Sequence, residues 1–252
     1  LVVITDGEGG FKFSTLAEPI YGLELSDEAI GRAELPAIRR REMLDAAKLL
    51  QLRDVEFLDQ QDHRYTTDIA EVLGSDAHVW DLGLVRRALS ARLAAERYDF
   101  VFALAPTPDT HAHHQAATAL AAEAMLALPA HQRPVMLIAQ TRFEDSASPL
   151  IFAPEESGVT VGPFVFDRTQ KFGYQQKLDY RVVVNWAIAA HKSQGTMQLA
   201  MNQGEREEFF LFGDRNLEAS KKAAALFEAL RGAQFPAKTY AASAGTNAGD
   251  VK

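Results

Sequence analysis

The residues best suited to chemistry lie between Asp109 and His114, in the string D-T-H-A-H-H that follows the apolar run Val101, Phe102, Ala103 and Leu104. Such a run, bounded by Pro106 and Pro108, has the character of a strand covered on both faces. Asp109 or Thr110 then offers a side-chain acceptor for the first turn of an Ala-rich helix expected over Gln115 to Leu128. Residues three apart are helix neighbours, so His111 and His114 should share a face while His113 points elsewhere. In an open α/β sheet, ligands bind beyond the carboxyl ends of the strands, beside the helix starts. Two imidazoles there could ligate a metal or serve as an acid/base pair. Solvated or capping histidines meet the same H-x-x-H spacing.

Two acidic positions fall at the same level. Leu1 to Thr5 is a β-branched apolar strand ending in the turn Asp6-Gly7-Glu8-Gly9-Gly10, which puts the Glu8 carboxylate at the mouth, or simply in solvent. The turn lacks both G-x-G-x-x-G and the P-loop lysine, which argues against a dinucleotide site. Val55 to Leu58 forms a short strand that runs into the polar loop Gln60 to Tyr65, with Asp62 inside it.

The elements that must position these residues alternate. After an irregular excursion from Phe11 to Leu25, a helix should open near Pro36 and run to Leu50, with Ile38, Met43, Ala46 and Ala47 in its apolar stripe. A second helix, from about Leu82 to Arg97, delivers the chain to the strand before the histidines. Alternating strands and helices predict an α/β fold with a doubly wound, mostly parallel sheet and helices on both faces. Pro134 to Ala139 is a further buried strand. Ile151 to Ala153, Val159 to Val161 and Phe164 to Phe166 are short strand-like pieces, expected as a small antiparallel C-terminal extension at the pocket rim. A helix from Leu178 to Gln194 with Gly195 as its stop, a strand at Phe209 to Phe212 and a helix from Leu217 to Arg231 complete a single domain over residues 1–240. The Ala/Gly/Ser-rich residues 241–252 are expected to be a mobile tail.

Composition narrows the function classes. The chain has 252 residues, 26 basic against 34 acidic for a net charge of −8, and no long basic run, which argues against nucleic acid or an anionic membrane as partner. It has no cysteine, which excludes thiol nucleophiles and Cys-ligated metal and leaves cytoplasmic and exported locations both open. No apolar run is long enough for a transmembrane segment.

With these pieces in place, the chain resembles the zinc-dependent N-acetylglucosaminyl de-N-acetylases of the PIG-L, or LmbE-like, family. Thr5-Asp6-Gly7-Glu8 is similar to the family's T-x-G-E turn, and Arg39-x-x-Glu42-x-x-x-Ala46, ending near Leu50, to its R-x-x-E-x-x-x-A-x-x-x-L helix. Phe57 to Asp62 is similar to its f-L-x-x-p-D loop, His111-Ala112-His113-His114 to its H-P-D-H motif, and Ala190 to Gln194 to its H-x-S-Q. The resemblance implies a Rossmann-like sheet, a Zn2+ cofactor, and hydrolysis of an acetyl amide on a small-molecule N-acetyl amino sugar or glycoconjugate. It implies that His114 is a metal ligand and that His111 is catalytic, assisting the oxyanion and leaving amine when protonated. Glu8, Arg39 and Asp62 would line the substrate site.

The sequence departs from the family at three places. Ala112-His113 replaces Pro-Asp, and Asp109 stands where some members carry a tyrosine. The family's A-H-P-D-D-E motif, which carries two zinc ligands and the general base, is absent. An upstream strand ending in a His-x-x-Asp loop is therefore expected before Leu1, and the 252 residues alone are expected to bind zinc weakly and to be impaired in hydrolysis. The alternative is a non-catalytic carbohydrate- or metabolite-binding relative lacking metal.

Overall fold

The computed structural model describes residues 1–140 and 159–231. Strand β1 (Val2–Thr5) is followed by a 3-10 segment (Glu8–Phe13), helix α1 (Glu18–Tyr21) and the long helix α2 (Glu28–Leu49). The chain then forms β2 (Glu56–Gln60), α3 (Ala70–Leu73), α4 (Leu82–Ala95), β3 (Phe100–Leu104), α5 (Ala112–Leu126) and β4 (Val135–Gln140). Beyond residue 158 come β5 (Phe164–Asp167), β6 (Lys171–Phe172), β7 (Leu178–Asp179), α6 (Tyr180–Ala190), α7 (Gly195–Gln198), β8 (Arg206–Phe212) and α8 (Leu217–Arg231).

The result is a mixed α/β fold whose sheets differ from the expected layout. β1 and β2 pair in parallel as a two-stranded sheet, and a second sheet has the order β3-β4-β8-β5. Only β3 and β4 run parallel there, while β8 lies antiparallel to both β4 and β5. The sheet expected to be mostly parallel is thus small and mixed, because β8 enters beside β4 from the opposite direction. Of the pieces read as a minor extension, Phe164 to Phe166 lies in β5 and supplies one of that sheet's four strands. Helix α5 packs on both sheets: Ile4 of β1 joins Val85 and Leu89 of α4 and Ala116 and Leu120 of α5 in one buried cluster, with Leu58 of β2 packed against it, and Met125 of α5 clusters with Met136 of β4. On the far side, Phe227 of α8 stacks on Phe164 and packs against Phe209, with ring centroids 5.7 and 5.1 Å apart. Among the described residues no helix is long and apolar enough to cross a membrane.

Several boundaries move for local reasons. Helix α2 opens at Glu28 rather than Pro36, because Asp27 caps it by accepting from the Ile30 N–H at 3.0 Å. Pro36 lies inside the helix and lacks the N–H of a regular turn. Helix α6 ends at Ala190, where His191 leaves the helical region and its Nδ1 lies 2.8 Å from the Ala187 carbonyl oxygen. Gly195 begins α7 instead of stopping a helix. A Cβ there would sit 2.3 Å from the Phe13 carbonyl oxygen, so glycine is required by close approach. Val159 to Val161 forms no strand, although Leu211 N–H donates to the Val161 carbonyl at 2.7 Å. The expected strand at Ile151 to Ala153 and the tail 241–252 lie outside the described residues.

A buried carboxylate fastens the helices that flank the site. Glu42 of α2, 1% exposed, accepts from the Ser193 hydroxyl at 2.7 Å, the Ser193 N–H at 3.0 Å and the Tyr21 hydroxyl at 2.9 Å. Burial, together with the Glu42 hydrogen bond and charge, pushes the Tyr21 phenol up to about 12. Glu42→Ala would leave two buried donors of Ser193 and the half-buried Tyr21 hydroxyl without their acceptor, so we expect a loss of about 3 kcal/mol in urea unfolding. A change within about 0.5 kcal/mol, as at an ordinary surface position, would contradict this role.

Candidate functional site

Three loops meet beyond the carboxyl ends of β1, β2 and β3. The first is tied to the second by Asp6, whose Oδ1 accepts from the Glu8 N–H at 3.0 Å and from the Asp62 N–H at 3.2 Å. The bond to Glu8 is the turn an aspartate makes two residues on, so this local signal was present in the T-D-G-E string, which had been weighed for Glu8 alone. Gly9 permits the contact: a Cβ there would come 2.3 Å from the Asp62 carbonyl oxygen. Trp80 holds the second loop from beneath, its indole N–H donating to the Gln61 carbonyl at 3.1 Å.

Arg39 reaches the first loop from α2. Its guanidinium donates to the carbonyls of Gly7 at 2.6 Å, Gly10 at 3.1 Å and Ser193 at 3.2 Å, and its Nε donates to Ser193 Oγ at 3.3 Å. Burial lowers the Arg39 pKa, opposed by the charges of Asp62, Glu42 and Asp6. Glu8 pairs with Arg32 at 2.9 Å and accepts from Gln61 at 3.0 Å, while Arg32 also donates to the His63 carbonyl at 2.9 Å. Arg39 and Glu8 therefore both shape the loops, and Arg39 lines a cavity of about 190 Å3 together with Asp6, Asp62 and His114.

The histidines are arranged differently from the helix-face expectation. Helix α5 begins at Ala112, and His111 is its N-cap with φ −51 and ψ 135, outside the helix. Spacing along a helix face consequently says nothing about His111. Thr110 does not cap the helix; its hydroxyl donates to the Ala105 carbonyl at 2.7 Å. His113 is 4% exposed and turns toward the second loop, its Nδ1 3.1 Å from Asp62 Oδ1 and its Nε2 2.9 Å from His63 Nδ1. His63 Nε2 in turn lies 3.3 Å from Glu71 Oε2, and His111 Nε2 lies 3.0 Å from the Arg64 carbonyl oxygen.

Asp62, His111 and His113 each offer a ligand atom, and these atoms all lie within 4.8 Å of one another. His114 stands beside this trio, its ring centroid 5.7 Å from that of His111. It also lines a second cavity, of about 330 Å3, with Thr107, Asp109, Thr110 and His111. The structure thus gathers Asp62, His111 and His114 of the expected residues, with Arg39 and Glu8 at the first loop, and adds Asp6, His63 and His113.

Burial and charge tune these groups. Burial pushes the Asp62 carboxyl up, but the His113 hydrogen bond and the charges of His113, His111 and Arg39 together hold it below its ordinary value. Burial raises Asp6 despite its two backbone donors. Burial lowers both His111 and His114, and the neighbouring imidazoles act in the same direction. Neutral imidazoles and an ionised carboxylate are the forms that ligate metals, and a two-nitrogen, one-oxygen set suits a divalent transition metal. The residues present could therefore hold such an ion.

This arrangement defines the class: an α/β chain with carboxylate and imidazoles gathered where parallel strands end and helices begin. The family model of PIG-L, described as GlcNAc-PI de-N-acetylase, matches residues 1–125, just under half of the chain's 252 residues. The match takes in Asp6, Glu8, Arg39, Asp62 and the three clustered histidines, while the Ala190 to Gln194 string lies beyond it. No curated protein matches the chain.

Gly9→Ala tests how tightly the loops are built. The added methyl must push the Asp62 backbone away, so we expect a loss of about 1–3 kcal/mol in thermal or urea unfolding and shifted His113 ring resonances in NMR spectra. Unchanged stability and unchanged His113 signals would show that the two loops are not held in contact.

Proposed function

We propose that this chain is a metal-dependent amide hydrolase that removes an acetyl group from an N-acetylated amino sugar or glycoconjugate. The observation that carries the reading is the convergence of Asp62, His111 and His113 within 4.8 Å, inside the span that the PIG-L family model matches. The parallel pairs β1–β2 and β3–β4, with the site at their carboxyl ends, support the Rossmann-like part of the expected layout. Asp62, His111 and His113 would hold the ion, and the resemblance points to zinc. Once bound, zinc supplies Lewis-acid polarisation of the amide carbonyl and acidifies water to a pKa of about 7.

The chain's own groups then have defined tasks. His114 is a solvent-accessible imidazole held toward its neutral form, so it can accept a proton from water at the wall it shares between the two cavities. Burial also lowers His111, which favours the neutral form in which an imidazole ligates a metal, so the leaving amine takes its proton from His114, once His114 has accepted one from water, rather than from His111 as the resemblance implies. Glu8 and Arg39 hold the first loop in place around the sugar, and Asp62 orients the His113 ring. Should His114 ligate the ion instead, as the resemblance implies, His113 would remain the partner of Asp62.

One observation favours the second reading, a carbohydrate-binding relative that needs no metal. Asp62, His113, His63 and Glu71 form a chain closed by its own hydrogen bonds, which satisfies the site's buried polar groups internally. Zinc content and acetate release, measured together on the 252-residue chain with an N-acetylglucosaminyl glycoside, separate the two. Because Asp62, His111 and His113 supply a ligand set within this chain, we expect zinc near one equivalent instead of the weak binding expected from the motifs alone, and metal-dependent acetate release, with zinc lost in Asp62→Asn, His111→Ala and His113→Ala. His114→Ala should keep zinc and lower release by about 10²- to 10⁴-fold. A chain that binds the sugar but neither holds zinc nor releases acetate would overturn the hydrolase reading in favour of the binding one.

A further inference from the structure

The loop after β2 is fastened almost everywhere except at one side chain. Gln61 is held by Trp80, Asp62 by Asp6 and His113, and His63 by His113 and Glu71. Arg64 pairs with Glu71 at 2.8 Å, and its carbonyl oxygen lies 3.0 Å from His111 Nε2. Thr66 donates to Glu71 at 2.9 Å, and its carbonyl accepts from the Ala112 N–H at 2.8 Å. Between these clamps Tyr65 is 74% exposed, with its ring centroid 5.1 Å from that of His111 at an interplanar angle of 31°. Among the described residues its hydroxyl has no hydrogen-bond partner.

We infer that Tyr65 is the platform on which the pyranose ring of the substrate stacks, delivering the acetamido group to the Asp62–His111–His113 cluster. The inference rests on the amino-sugar reading and adds the residue that recognises the ring. A pyranose with equatorial substituents has a flat face of axial C–H bonds, which packs on an aromatic face while its hydroxyls stay in water. A tyrosine suits that task because it presents a large apolar area with little rotamer freedom to lose and carries a polar tip. Single exposed aromatics are common and by themselves mean little. Tyr65 differs in that the backbone on both sides is pinned to the start of α5, by His111 through Arg64 and by Ala112 through Thr66. The ring is thereby set at a fixed place beside a site imidazole, and binding need not order it.

The test uses NMR titration of N-acetylglucosamine into the 252-residue chain, the Tyr65→Ala variant and the Tyr65→Phe variant. The axial ring protons of the sugar should shift upfield on binding to the parent, as protons above an aromatic face do. Tyr65→Ala should raise the Kd by about tenfold, and Tyr65→Phe should stay within about twofold of the parent. Equal affinity in the parent and Tyr65→Ala, or parent binding without upfield shifts, would overturn the platform while leaving the amino-sugar reading intact. A parent chain that does not bind the sugar would overturn that reading and the platform with it. Should Tyr65→Ala fold poorly, the ring-current shift in the parent decides the matter without it.

Discussion

A guanidinium taken out of water must find acceptors for its donors, and the site's architecture follows from how Arg39 finds them. Its donors go to the carbonyls of Gly7, Gly10 and Ser193, so the turn after β1 and the segment after α6 are drawn onto one side chain of α2. Glu42, one helical turn further on, takes the Ser193 N–H and hydroxyl, which sets the same segment from a second direction. Cation and carboxylate thus fix two loops that the backbone ladder of the small β1–β2 sheet could not hold by itself. With the first loop fixed, Asp6 can reach the Asp62 N–H, and Asp62 can reach His113.

Asp62 and His113 show why this placement matters for chemistry. Burial alone would drive the carboxyl toward its protonated form, which would leave a poor ligand and a poor hydrogen-bond acceptor. The neighbouring imidazoles and Arg39 reverse that tendency, and Asp62 stays ionised. The same burial keeps His111 and His114 toward their neutral forms, with lone pairs free for an ion or a proton. One place thus holds an anion and neutral bases side by side, the forms in which these groups could ligate a divalent ion and accept a proton from water.

The sequence was most legible where local periodicity decides the outcome. The apolar run Val101 to Leu104 lies within β3, and the amphipathic stretch Leu217 to Arg231 is helix α8 with the same limits. The ordered motifs are enough to show the PIG-L resemblance, and the family model's match over residues 1–125 agrees with it. Pairing between distant strands was not legible, because nothing in R-E-E-F-F-L-F tells whether β8 will lie parallel or antiparallel to β4. Pro36 misled as a helix start because the Asp27 cap upstream carries the stronger local interaction. His113 was misplaced because the helix-face rule was applied across His111, a residue that the chain leaves extended as an N-cap. A one-residue difference in where a helix begins changes which side chains meet.

The central claim is that Asp62, His111 and His113 form a metal centre, and the most direct measurement is the NMR spectrum of the chain loaded with Co2+ as a paramagnetic replacement for zinc. We predict hyperfine-shifted ring resonances from His111 and His113 that vanish in Asp62→Asn, with His114 shifted less as a neighbour. Direct hyperfine shifts on His114 with none on His113, or a spectrum unchanged by Co2+, would contradict the account.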